Sequence, residues 1–281
     1  MRALKALGQA ARTLRGGPSA LILVALALCA LLAPLIAPFA YDAMHLPSAN
    51  LEPSTKNWMG TDEFGRDLLS RLIHGARVSL GVAVSSIAAS VLIGTVIGGL
   101  AGYFGGWVDR ALMAISDLTW SFPEILIALV LIAIIGPGLG STAVAITVGY
   151  FAQFARLTRA QIIALKGETY VEAARNLGAS DASILFRHLI PNAMTPVLVA
   201  GMLATGDAII LEATLGFFGL GAQPPLPSWG AIMSAGTAQI FIAPWIILYP
   251  GIVIAVTVVS INLFGDALID ALDIRGKMRE S

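Results

Sequence analysis

The chain has 281 residues, of which 57% are hydrophobic and 12% charged, and its mean hydropathy is +0.83. Soluble domains carry about 25% charged residues, so a chain this apolar belongs in lipid. Its formal net charge of zero excludes nucleic-acid binding through an overall basic field, and the single cysteine, Cys29, excludes an intrachain disulfide.

A spanning helix needs about 20 mostly apolar residues. From Gly16 to Tyr41 there is no charge, which predicts a first span near Ala20–Ala40. Pro34 inside it is tolerable in a membrane helix. Arg2, Lys5, Arg12 and Arg15 precede it, and Ala37–Ala40 mimics a signal-peptide cleavage site. The apolar run is longer than a signal core of roughly 7–15 residues, which favours a retained anchor.

Val78–Val108 is again free of charge and predicts a second span near Leu80–Tyr103. Gly94, Gly98 and Gly102 repeat every four residues along it, the spacing that lets helices approach closely. The uncharged run Ile125–Ala155 is interrupted by Gly136-Pro137-Gly138-Leu139-Gly140-Ser141, a turn signal. A hairpin of spans near Met113–Ile135 and Thr142–Leu157 follows, and the third span then has to contain Asp117 and Glu124. Ala193–Leu211 and Ala243–Phe264 supply the fifth and sixth.

Six spans put both ends of the chain on one side. Positive residues near short loops mark the cytoplasmic side. With the N-terminus inside, only Lys56, Arg66, Arg71 and Arg77 of the 17 Lys and Arg residues fall outside. The predicted class is an all-α integral membrane protein with six transmembrane helices and cytoplasmic termini. The divisions are a cytoplasmic segment 1–19, the first span 20–40, an external loop 41–77, a five-helix core 78–265 containing a cytoplasmic loop 166–192, and a cytoplasmic tail 266–281.

That loop is a polar, mixed-charge stretch between two spans. Glu168–Leu177 holds good helix formers, and Gly178 stands where a left-handed C-terminal glycine belongs. Ser180 or Asp181 can cap a second short helix through His188, and Pro191 suits the first turn of the next span. The loop reads as helix, tight turn, helix. Its alanines leave a low surface that fits a cleft of another protein, and Glu172 offers a carboxylate to a cation there.

Glu172-Ala173-Ala174, Gly178 six residues after the glutamate, and the Leu-Ile-Pro ending at Pro191 resemble the EAA loop of permease subunits of bacterial ABC importers. A second stretch, Asn57-Trp58-Met59-Gly60-Thr61-Asp62-Glu63-Phe64-Gly65-Arg66-Asp67 onward to Arg71, resembles the external loop of the C-type permeases of dipeptide, oligopeptide and nickel importers. Gly75–Leu80, Ser228-Trp229-Gly230 and the ending Ala271–Arg275 continue the likeness, which covers nearly the whole chain from the first span. Ile274 stands where the family often has proline, and Gly216-Phe217-Phe218 where Ser-Phe-Leu is common.

The resemblance implies a type I importer permease fold in the bacterial cytoplasmic (inner) membrane. It implies a second, related permease subunit, two ATPase subunits or domains and an extracytoplasmic solute-binding protein as partners. Glu172, Ala173, Ala174, Gly178, His188 and Pro191 would couple to the ATPase. The sequence has no GxxxxGK[ST] phosphate loop, so ATP and magnesium are expected on the partner and no cofactor on this chain. The expected role is a non-catalytic transmembrane subunit of an importer of di- or oligopeptides. Nickel, glutathione or an opine- or sugar-like solute are alternatives within the same machinery, and a secondary transporter or channel is the alternative of another class.

Ionisable residues in spans usually face a cavity, a partner helix or the interface. Asp117, Glu124, Asp207 and Glu212 are of this kind. Helix-end placement or pairing within the bundle is favoured for Asp117 and Glu212, and Asp207 is the candidate for the pathway. Asp62, Glu63, Arg66, Asp67 and Arg71 read either as a solvated external helix with internal ion pairs or as a contact for the binding protein. Trp58, Trp107, Trp229 and Trp245 read as interfacial anchors. His45, His74 and His188 are isolated, and no metal site is expected.

Overall fold

A computed structural model of the chain describes residues 8–277, with side chains as far as Leu272. Arg2, Lys5 and Arg279, and the side chains of Arg275 and Lys277, lie outside what is described. The described residues are helical throughout, apart from loops and one isolated antiparallel bridge between Thr61 and Asp67.

In chain order the helices are α1 (Gly16–Leu31), α2 (Ala33–Ile36), a 3-10 turn (Leu46–Ser48), α3 (Leu68–Phe104), α4 (Gly106–Trp120), α5 (Glu124–Ile135), α6 (Leu139–Leu165) and α7 (Thr169–Asn176). They continue with α8 (Asp181–Phe217), α9 (Trp229–Gly236) and α10 (Trp245–Lys277). By length and composition α3, α8 and α10 can each cross a membrane, and α4 with α5 forms a bent pair that counts as a fourth. The first predicted span falls on α1 and α2 and the fourth on α6, none of which is among the helices long and apolar enough to cross by that measure.

The third predicted span is corrected. Met113–Ile135 is not one helix: α4 and α5 meet at 91°. Pro123 causes the break, because it has no N–H to donate and pushes the preceding residue out of helical conformation. The two halves also differ in character. α5 is apolar on every side apart from Glu124 in its first turn, where the helix dipole favours an acid. α4 carries Asp109, Arg110 and Asp117 among its apolar residues.

The described chain packs as two compact units. One gathers residues up to Val84, Ile132–Ala143 and Thr205 onward; the other gathers Ser85–Leu131 and Val144–Ala204. In the first, α10 packs on α1 and α9. The turn between α5 and α6 uses Gly136 and Gly138 at φ +99° and +153°, and the Gly138 N–H donates to the Leu220 carbonyl at 3.1 Å. Trp229 was expected as an interfacial anchor and is instead fully buried. Its indole N–H donates to the Leu72 carbonyl at 3.2 Å and its backbone N–H to Ser79 Oγ at 3.2 Å. A buried indole takes a hydrogen-bond partner with it.

In the second unit the glycine repeat of α3 lies against the backbone of α6. A Cβ added at Gly94 would stand 2.6 Å from Phe154 Cβ, at Gly98 2.1 Å from the Ala155 oxygen, and at Gly102 2.9 Å from the Arg159 oxygen. Ser90 Oγ reinforces the seam by donating to the Thr147 carbonyl at 3.0 Å. Gly98→Val is therefore expected to lower the thermal midpoint of the purified protein in detergent sharply, or to abolish its accumulation in the membrane. Gly81→Ala, where an added Cβ meets nothing within 4 Å, is expected to leave both unchanged.

Candidate functional site

The loop between α6 and α8 is built by local chemistry. α7 ends in a full Schellman motif: the Gly178 N–H donates to the Arg175 carbonyl and the Ala179 N–H to the Ala174 carbonyl, both at 3.0 Å. Gly178 supplies the left-handed residue at φ +82°. Ser180 then caps the next helix, its hydroxyl oxygen accepting the Ser183 N–H at 3.3 Å. Val171 points inward and joins a buried cluster with Tyr103, Ile162, Ile184, Leu185, Leu189 and Ala193. Ala174 packs on the edge of that cluster, while Glu172, Ala173 and Gly178 are exposed. Leu177 stands 88% exposed at the tip.

One expectation for this loop is corrected. No separate short helix precedes the next span, and Pro191 does not start one. From Asp181 the chain runs as a single helix to Phe217, widened over Ile184–Leu189 into a π turn. At its end the Ile190 N–H donates to the Leu185 carbonyl, five residues back. Pro191 follows at once, and a proline has no N–H and crowds the carbonyl four residues before it. A wider turn just ahead of the ring relieves both problems. His188 lies half-buried on this turn, and its carbonyl accepts the Asn192 side-chain amide at 2.7 Å. The sequence-predicted residues thus fall at three places: Glu172, Ala173 and Ala174 on α7, Gly178 at the turn, and His188 and Pro191 at the root of α8.

The outer segment is also corrected. Asp62, Glu63, Arg66 and Asp67 do not lie on a solvated helix, and Asp62, Arg66, Asp67 and Arg71 are 2–6% exposed. Asp62 organises the turn. Its carboxylate accepts the backbone N–H of Phe64 at 3.0 Å and of Arg66 at 2.9 Å, and the Arg66 guanidinium at 2.6 Å. Arg71 approaches the same carboxylate at 3.4 Å and donates to the Tyr41 carbonyl. Asp67 caps α3 through the Ser70 N–H and hydroxyl at 2.8 and 2.7 Å, and accepts the Asn57 amide at 2.8 Å. The expected internal ion pairs thus form around Asp62, but between buried side chains, while Asp67 is held by Asn57 and Ser70. Glu63 keeps one oxygen on Arg66 at 3.3 Å and is half-buried.

The carboxylates of the spans part company. Asp207 is exposed on α8, and Glu124 is exposed at the start of α5. Asp117 is exposed and paired with Arg156 at 2.6 Å. Nearby, Arg159 grips Asp109 through two bonds of 2.5 and 2.6 Å. The two pairs line a cleft of about 580 Å³ together with Arg110, Met113 and Ala114.

Glu212 departs furthest from expectation. It does not sit at a helix end in contact with solvent but is completely buried in α8. Ser79 and Ser228 are the polar side chains around its carboxyl, although neither oxygen forms a well-aligned bond. Both serine oxygens already accept backbone N–H groups, from Trp229 and Ala231, which leaves their hydroxyl hydrogens for the carboxyl. Among the described residues no group of His, Cys, Asp and Glu is arranged to hold a metal ion.

The family described as binding-protein-dependent transport system inner membrane component matches residues 94–277, which include the whole loop between α6 and α8. The chain belongs to this family. It is 43% identical over 235 residues to the glutathione transport system permease protein GsiD of Pectobacterium atrosepticum, covering 84% of this chain and 76% of that one. It is 40% identical over 254 residues to the dipeptide transport system permease protein DppC of Alkalihalophilus pseudofirmus, covering 90% and 83%. Its fold is similar to that of an inward-facing MetNI methionine ABC transporter, with a TM-score of 0.57 at 24% identity over 73% of this chain and 95% of that chain. The chain is thus an inner-membrane permease subunit of a binding-protein-dependent ABC importer.

In this permease the outer turn depends on Asp62. Removing one member of a buried ionic group strands its partners at a cost of about 3–5 kcal/mol. Asp62→Ala, which strands Arg66 and Arg71, is expected to lower the thermal midpoint strongly, with Glu63→Ala nearly neutral in the same melt.

Proposed function

We propose that this permease forms one half of a translocation pathway for short peptides and couples to a separate ATPase through the loop at α7. The substrate reading is carried by the names of two relatives at 40% identity or more, one a dipeptide and one a glutathione permease. Glutathione is itself a tripeptide, so both names point to one chemistry: a small solute with an ammonium group, carboxylates and amide bonds. The coupling reading is supported by geometry. A short helix closed by a left-handed glycine presents Glu172, Ala173 and Leu177 outward while Val171 anchors it to the cluster beneath.

The partners in this reading are a second, related permease, two ATPase subunits or domains that bind ATP and magnesium, and an extracytoplasmic binding protein. The positive-inside asymmetry puts α7 in the cytoplasm, where an ATPase is found. Asp207, exposed on a membrane helix, serves the pathway by facing the charged ends of the solute.

Uptake of a labelled dipeptide and of labelled glutathione, in cells lacking this chain and cells re-expressing it, tests the substrate. Restored uptake of one of them is the expected result, and the one restored names the solute. Restoration of neither, in a strain without redundant peptide uptake, would overturn the peptide reading.

Two variants test the loop. Glu172→Lys is expected to reduce uptake at least about tenfold, because a reversed charge at a docking surface meets its former partner as a repulsion. Gly178→Val puts a branched side chain in the left-handed region, a cost of roughly 1–2 kcal/mol, and is expected to act in the same direction. Both should insert normally, and full uptake by both would remove the loop from coupling. Asp207→Asn is expected to lower uptake with assembly intact; unchanged uptake would take Asp207 out of the pathway.

A further inference from the structure

Beneath the docking loop, one side chain ties its two flanking spans together. Tyr103 is the penultimate residue of α3 and is 4% exposed. Its hydroxyl donates to Asp181 Oδ1 at 2.5 Å, the length of a strong hydrogen bond to a carboxylate. Asp181 is the first residue of α8, directly after the Ser180 cap. The Tyr103 carbonyl accepts the ammonium of Lys166, the residue that follows α6. The same ammonium lies 5.2 Å from the centre of the Tyr103 ring, within cation–π reach. The ring itself belongs to the cluster that holds Val171 of α7. Tyr103 therefore touches the end of α6, the docking helix α7 and the start of α8 while itself ending α3.

We propose that Tyr103 is the positioning residue that transmits movement of the docking loop to the spans, with its bond to Asp181 as the joint. The inference rests on the coupling reading above. A loop held only by its apolar cluster can slip, since apolar contact has no direction. A short bond to a carboxylate fixes both distance and angle. Asp181 is well placed to carry the displacement, because α8 begins at it and continues for 37 residues through the π turn at Ile184–Leu189, and Lys166 keeps α6 in register with the same point.

The test uses the whole importer, with partner subunits and binding protein, reconstituted in vesicles. Tyr103→Phe keeps the ring, its packing and the contact with Lys166 and removes only the hydroxyl; Asp181→Asn alters the other partner. Uptake and ATP hydrolysis are measured together at equal amounts of assembled complex, for each variant, for the double variant and for Glu172→Lys. The expected result is a fall of roughly tenfold in solute moved per ATP hydrolysed for Tyr103→Phe, as for loss of a hydrogen bond to a charged group. The double variant should be no worse than either single one.

An unchanged ratio in Tyr103→Phe would overturn the joint, and so would a loss confined to the amount of assembled complex. Losses that multiply in the double variant would also overturn it, since they would show two independent effects. Glu172→Lys separates this failure from that of the coupling reading. Normal uptake in Glu172→Lys removes the docking loop. Impaired uptake there, with an unchanged ratio in Tyr103→Phe, removes only the joint.

Discussion

Hydrocarbon offers no hydrogen bonds, and that constraint orders the rest of this permease. Every peptide group placed in lipid has to be paired within the chain, which leaves helices as the only solution for an α-type membrane protein. The same rule reaches the side chains. Ser116, Thr119, Thr214 and Thr257 each turn their hydroxyl back onto the carbonyl four residues earlier. Trp229 buries its indole N–H on a carbonyl of α3. With polar groups satisfied locally, helices meet through shape, and the tightest meeting is the glycine face of α3 on the backbone of α6. Packing of this kind needs small residues because lipid tails are as apolar as leucine, so burial alone gives helices no reason to associate.

The spans were legible because they are long runs without charge, and a run of that kind has few other readings. The docking loop was legible for a related reason. Its glycine, its serine cap and its alanines each answer a backbone need, and the Schellman turn at Gly178 forms where such a glycine was expected. The breaks were harder to read. A single proline after Ser121 and Phe122 is compatible with a kinked helix or a sharp corner, and only packing chooses the 91° bend. The π turn ahead of Pro191 left no mark on composition, so one continuous helix read as two.

Burial of charge was the least legible property. In sequence, Asp62, Arg66, Asp67 and Arg71 look like a solvated patch, since such residues are almost never fully buried unless paired. Here Arg66 and Arg71 gather on the Asp62 carboxylate and Asp67 is held by Asn57 and Ser70, which needs the fold to bring these residues together. The acids of the spans show the converse. Asp117 sat inside a predicted span only because that span was drawn straight; once α4 turns away, it is an exposed group paired with Arg156. Glu212 looked like a helix-end acid, yet it is buried beside two serines brought there by α3 and by the loop before α9. No spacing along the chain announces that meeting.

The length of α8 bears on how the docking loop can act. Thirty-seven residues at 1.5 Å each make a rod of about 55 Å, well beyond the roughly 30 Å of a hydrocarbon core. Asp181, the π turn and Pro191 lie at its start, so in the proposed coupling a push at Asp181 would pass into α8 itself and not through a linker. The π turn and the proline are also where such a rod yields most readily, because sharp bends in helices concentrate at these two features. A tether to Tyr103 placed just before that weak point holds the outer end of the rod in register with α3 and α6. In the proposed coupling, bending would fall at Ile184–Leu189, beside the cluster that holds Val171.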